Sequence, residues 1–215
     1  MNLKLYLHPL SSFCWKVLIA LYENETPFEP CIIDLGDPAS RAELERLWPF
    51  RRFPVLQDRA TGRVLPESSI IIEYLGQRYP GRTRLLPDDP ELALETRQAD
   101  RFYDLLVHVP MQKIVTDKIR PAGQNDPFGV EQARSTLGTA YALIDRDLAR
   151  RTWAMGDPFT LADCAAFPAL YYANRVQPLG EAHPHAAAYL RRLEQRPSIA
   201  RVLAEAQPHF AMFPG

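Results

Sequence analysis

The chain changes pattern near residue 80, and that break limits its fold more than any other feature. Before the break, short runs alternating apolar and polar residues take turns with runs that carry an apolar side at helical spacing. "LKLYLH" (3–8) reads as a strand, followed by a helix in "SFCWKVLIALYEN" with Phe13, Val17, Ile19, Ala20 and Leu21 on compatible turns. "FEPCIIDL" (28–35) is a second strand, and Pro30, which has no N–H for a ladder, suits a sheet edge. "PASRAELERLW" (38–48) is a short helix with Pro38 near its start. "FPVLQD" (53–58) and "GRVLPE" (62–67) are strands joined by a turn. "SSIIIEYLGQRY" (68–79) is a helix capped by serine and stopped at Pro80-Gly81. The order β-α-β-α-β-β-α requires a helical crossover in its parallel first half and allows a hairpin at its end.

After the break no strand is expected. Residues 81–90, rich in Pro, Arg and Asp and without a period, read as a linker. Helical patterns cover 91–118, 129–151, 161–176, 185–195 and 198–206, with Pro110 expected to kink the first. The expected plan is an α/β domain over 1–80 and an all-α domain over 91–215.

Bulk properties exclude several function classes. A formal net charge of −1 offers nothing to nucleic acid or an anionic membrane, and pairs such as Arg51-Arg52 are too short for a polybasic tract. Cys14, Cys31 and Cys164 are odd in number and widely spaced, which argues against a disulfide framework and a metal site. No run approaches the ~20 apolar residues of a membrane span, and "MNLKLYLHPL" is not a signal peptide, so a cytoplasmic protein is expected.

Chemistry concentrates where strands pass into helices. Ser11-Ser12 stands at the first such junction, where either hydroxyl can cap the helix or, equally, donate to an anion held there. Ser11-Ser12-Phe13-Cys14 also has the form of a Cys-x-x-Cys motif with serine first; Cys14 lies inside the helix, as a buried small residue or a thiol of the site. "WPFRRFPVLQD" brings two guanidinium groups next to a proline that opens a strand. "LPESSIIIEYL" sets Glu67-Ser68 at a helix start, a natural anion site beside an acid. "GDPFTLADCAAF" carries Thr160 and Asp163 in a capping-box arrangement, read as structural.

Taken together, these motifs resemble those of the cytosolic glutathione S-transferases, with "SSFCWKV" similar to the Ser-Ser-x-x-Trp-Arg-Val signature of the zeta class apart from Phe13 and Lys16. The resemblance implies a thioredoxin-like N-terminal domain, an all-helical C-terminal domain, glutathione as co-substrate, no metal, and a homodimer. It implies Ser11 as the residue that stabilises the glutathione thiolate, with Ser12 and Phe13 beside it. Arg52 would face the glycine carboxylate with Arg51 adjacent, Phe53 would pair with the cysteinyl backbone before a cis Pro54, and Glu67 and Ser68 would hold the γ-glutamyl end. Asp100 would reach across a dimer to the partner's glutathione. Leu10, Tyr103, Val107, His108, Met111 and Gln112 would line the site of a small hydrophobic electrophile. Other readings stay open: a zeta-like isomerase or dehalogenase, a binding module without chemistry, and a disulfide reductase using Cys14.

Overall fold

A computed structural model describes residues 1–214. Strand β1 (Leu3–Leu7) passes through a loop into α1 (Ser12–Glu23), and β2 (Glu29–Ile32) returns parallel to β1. Helix α2 (Pro38–Leu47) is capped by Asp37, whose carboxylate accepts from the N–H groups of Ala39 and Ser40. Strands β3 (Val55–Asp58) and β4 (Arg63–Pro66) form an antiparallel hairpin, and α3 (Ser68–Arg78) follows. The sheet order β2-β1-β3-β4 leaves β2 at an edge, where Pro30 costs no ladder bond.

Among the described residues the rest of the chain has no sheet strand, only an isolated bridge between Trp153 and Gly156. Its helices are α4 (Pro90–Phe102), α5 (Val109–Lys118), α6 (Pro127–Leu148), α7 (Leu161–Val176), α8 (Pro184–Glu194) and α9 (Pro197–Ala206), with a short 3-10 segment at Gln207–Met212. No helix is long and apolar enough to cross a membrane. The expected kink at Pro110 takes another form. Residues Tyr103–His108 are a π-helix joining α4 to α5, and the Val109 N–H bonds to the carbonyl of Asp104 five residues back. Pro110 has no N–H for the carbonyl four residues before it, so the helix widens ahead of the proline instead of bending at it.

The larger of two apolar cores runs through both halves, with α1 as its axle, while Tyr6, Ile33, Leu44 and Val55 form a smaller one. Trp15, fully buried, packs on Phe167 and Tyr172 of α7 at centroid distances of 5.9 and 4.9 Å, and its indole N–H donates to the Pro9 carbonyl at 2.6 Å. Two buried ionic groups join the halves as well. Lys16 pairs with Asp100 and, at 2.8 Å, with Asp104. Glu23 accepts from Arg196 at 2.7 Å and from Ser198 at 2.8 Å. A buried ammonium is tolerable only with such partners.

Candidate active site

The β1–α1 loop, the approach to β3, the start of α5 and the C-terminal segment enclose a cavity of about 690 Å³. At its floor is the first turn of α1. Ser11 is the N-cap, and its hydroxyl oxygen accepts from the Cys14 N–H at 3.3 Å. Its own proton has no oxygen or nitrogen acceptor among the described residues, so the hydroxyl remains an available donor on the cavity wall. Ser12 differs: its hydroxyl is engaged by Nε2 of His108 at 3.4 Å. Burial pushes the His108 imidazole down to about 4, so it is neutral at physiological pH, and the ring of Phe13 meets it edge-on at 4.3 Å. Cys14 is fully buried, is not on the cavity wall, and has its thiol pushed up to about 12 by burial. A neutral, inaccessible thiol is no nucleophile.

The opposite wall comes from residues 51–53. Arg51 and Arg52 are exposed, and Arg51 has a φ of +53°, unusual for a residue with a side chain. In extended chain, neighbouring side chains point to opposite sides; the backbone turns left-handed at Arg51, and both arginines line the same cavity. The Phe53–Pro54 bond is cis, and β3 begins only at Val55, so the Phe53 backbone stands outside the ladder. The Phe53 ring stacks on His8 at 5.6 Å. His8 in turn accepts the Leu10 N–H on Nδ1 at 3.2 Å and the Ser11 N–H on its carbonyl at 3.0 Å, fixing the loop that presents Ser11.

Residues 5–83 match the family model described as the glutathione S-transferase N-terminal domain, and residues 127–192 match the C-terminal domain model. Over 212 residues the chain is 31% identical to glutathione S-transferase 3 of Zea mays, covering 94% of this chain and 93% of that protein. It belongs to the glutathione S-transferase family. A probable maleylacetoacetate isomerase of Caenorhabditis elegans is 30% identical over 177 residues, covering 80% of this chain and 78% of the relative. Among solved structures, the glutathione S-transferase of Methylobacillus flagellatus, crystallised with glutathione bound, superposes with a TM-score of 0.84 at 25% identity, covering 93% of this chain and 98% of that one.

In this transferase the structure gathers Leu10, Ser11, Ser12, Phe13, Arg51, Arg52, Phe53, His108, Met111 and Gln112 around one cavity. Glu67 and Ser68 stand off its wall, at the start of α3. Ser68 is not the cap expected of it: it is the first helical residue, buried, and Glu67 holds the cap position with φ +71° and no side-chain bond to the helix N–H groups. Asp100 is buried within the subunit. It is 2% exposed and committed to Lys16 and Arg101. Tyr103 and Val107 belong to the core instead of the cavity, because the π-helix turns their side of the helix toward α7. Sequence reasoning missed Val115, which follows Gln112 at helical spacing and was within reach of a period argument. It also missed Tyr172 and Phe213, which arrive from far along the chain and meet as tilted rings at 5.1 Å.

Proposed function

We propose that this transferase binds glutathione with its sulfur at Ser11, its glycine carboxylate at Arg52, its cysteinyl backbone on Phe53 and its γ-glutamyl end at Glu67 and Ser68, and transfers the thiolate to a small, largely apolar electrophile. The observation that carries this reading is the free donor: Ser11 caps α1 yet keeps its proton available on the cavity wall, while Ser12 is occupied by His108. A thiol of pKa about 8.5 must fall by about two units to be mostly ionised at neutral pH, roughly 3 kcal/mol, within reach of a charge-assisted hydroxyl bond plus a helix N-terminus. The α3 start supports the γ-glutamyl assignment, because its N–H groups have no side-chain cap and a carboxylate satisfies them. Leu10, Phe13, Met111 and Tyr172 supply apolar wall for the electrophile.

The homodimer expected of the chain is retained as a proposal; sedimentation at a concentration-independent mass near 24.5 kDa would exclude it. A second reading, glutathione-dependent isomerisation or dehalogenation, draws support from the likeness to the probable maleylacetoacetate isomerase. Turnover with a haloaromatic, an epoxide, a maleyl ester and a mixed disulfide separates the two. Calorimetry without glutathione binding by the wild type would remove both.

A further inference from the structure

The cavity that holds Ser11 has a wall of one sign. The chain as a whole is balanced, with 25 basic and 26 acidic residues, and four other cavities each carry carboxylates: Glu73 and Asp88, Glu95 and Asp147, Asp145 and Asp147, or Glu205. The candidate active-site cavity carries Arg51 and Arg52 and no carboxylate. Neither arginine has an ion-pair partner among the described residues, and both residues line this wall, with the backbone left-handed at Arg51.

Glutathione does not use up that charge through the reaction. Its γ-glutamyl end is a zwitterion served elsewhere, and its glycine carboxylate matches one guanidinium. The thiolate supplies a second negative charge only until sulfur is alkylated. In the transition state and the product the thiolate charge drains away, and one arginine is left without a counter-charge in the site.

We infer that the preferred electrophile carries a carboxylate on its apolar body and that Arg51 receives it. The inference rests on the glutathione reading above, which leaves Arg52 to the glycine end. Arg51 is then a specificity-determining residue: a planar guanidinium matches a carboxylate in two parallel hydrogen bonds, and a neutral substrate leaves it unpaired. Because the group is exposed, water and salt weaken the pairing, so the expected preference is about tenfold and shrinks as ionic strength rises.

Two probes differing in one group test this: 4-chloro-3-nitrobenzoate and 4-chloro-3-nitrobenzamide. In each, a sulfur lone pair attacks the ring carbon, a C–S bond forms, the C–Cl bond breaks, chloride leaves with the bonding pair, and the thiol proton goes to solvent. The readout is kcat/KM divided by the uncatalysed rate with glutathione, which removes intrinsic reactivity. The wild type should favour the benzoate about tenfold, and 0.5 M salt should reduce this to about twofold. Arg51→Gln should bring the ratio of the two probes to about one, whereas Arg52→Gln should raise the KM for glutathione more than it changes that ratio. Equal enhancement of both probes by the wild type, or a preference that survives Arg51→Gln, overturns the inference. Loss of turnover with both probes together with absent glutathione binding would instead overturn the underlying reading and this inference with it.

Discussion

Two helices of this protein begin at a hydroxyl residue ahead of an apolar run, and they begin in opposite ways. At the start of α7 the side-chain polar groups are all used. The Asp163 carboxylate accepts from the N–H of Thr160 at 2.8 Å, the Thr160 hydroxyl at 3.2 Å, the Ala154 N–H at 2.8 Å and the Tyr189 hydroxyl at 2.6 Å, and the cluster is buried. At the start of α3 the cap position is an exposed Glu67 in a strained backbone conformation, and no side chain returns to the helix N–H groups. A saturated polar cluster holds a fold together; an unsatisfied, strained one is kept for something that arrives later. The start of α1 stands between them, since Ser11 accepts one bond from its own helix and keeps its proton free.

The largest test of this contrast is Asp163→Ala. It strands four buried donors and should cost about 4 kcal/mol or more in urea unfolding. If the variant stayed near wild-type stability and lost glutathione affinity instead, the two helix starts would not differ as described.

Ser11→Ala comes next. The rate at pH 7 should fall about thirtyfold and recover in part at alkaline pH, with about 1 kcal/mol lost from stability. Ser12→Ala is the comparison variant. A pH–rate profile with the same shape in wild type and Ser11→Ala would reduce Ser11 to a cap.

The α3 start predicts effects of the reverse kind. Ser68→Ala should weaken glutathione about tenfold by calorimetry. Glu67→Gly should do the same while raising stability by about 1 kcal/mol, because glycine adopts a φ of +71° without strain. A Glu67→Gly variant less stable than wild type would show that no strain is stored there.

The smallest effect concerns His8, whose imidazole is held below its ordinary value by burial, then by His209, with Asp34 opposing. Only the neutral ring can accept the Leu10 N–H. A histidine with a lowered folded pKa stabilises above its unfolded value of about 6.5, and that contribution fades as pH falls from there through the folded value. His8→Asn keeps an acceptor for the N–H two residues on and does not titrate, so the acid limb of kcat/KM should flatten by about twofold at pH 5.5. A limb identical to wild type would clear His8 of this role.

The order of strands and helices was legible in the sequence because a period of two gives way to one of 3.6, with Pro and Gly marking the ends. The loop carrying Ser11 was legible too, since a hydroxyl pair before an apolar helix has few places to go. The start of α3 was read at Ser68, where it lies, and only its cap was placed one residue late: capping rules read side-chain type, and serine outranks glutamate there, but they cannot see a φ of +71° at Glu67. Tyr103 and Val107 lie in the core and not on the cavity wall for a related reason. Helical spacing shows which residues share a side, and only the packing of α1 and α7 decides whether that side meets core or cavity. Tyr172 and Phe213 lie far from the other wall residues in the chain, beyond any local pattern.

The π-helix at Tyr103–His108 has a bearing on how such a protein changes over generations. A turn of this kind carries one residue more than an α-helix needs, so a single-codon deletion within it would restore an ordinary helix and leave the helix beyond it in register. Met111, Gln112 and Val115 would keep their places on the cavity wall, while the side chains inside the turn would be dealt out anew between α7 and the cavity. An ancestor and its descendant could thus differ in chain length inside this helix while the wall that α5 builds stays where it is.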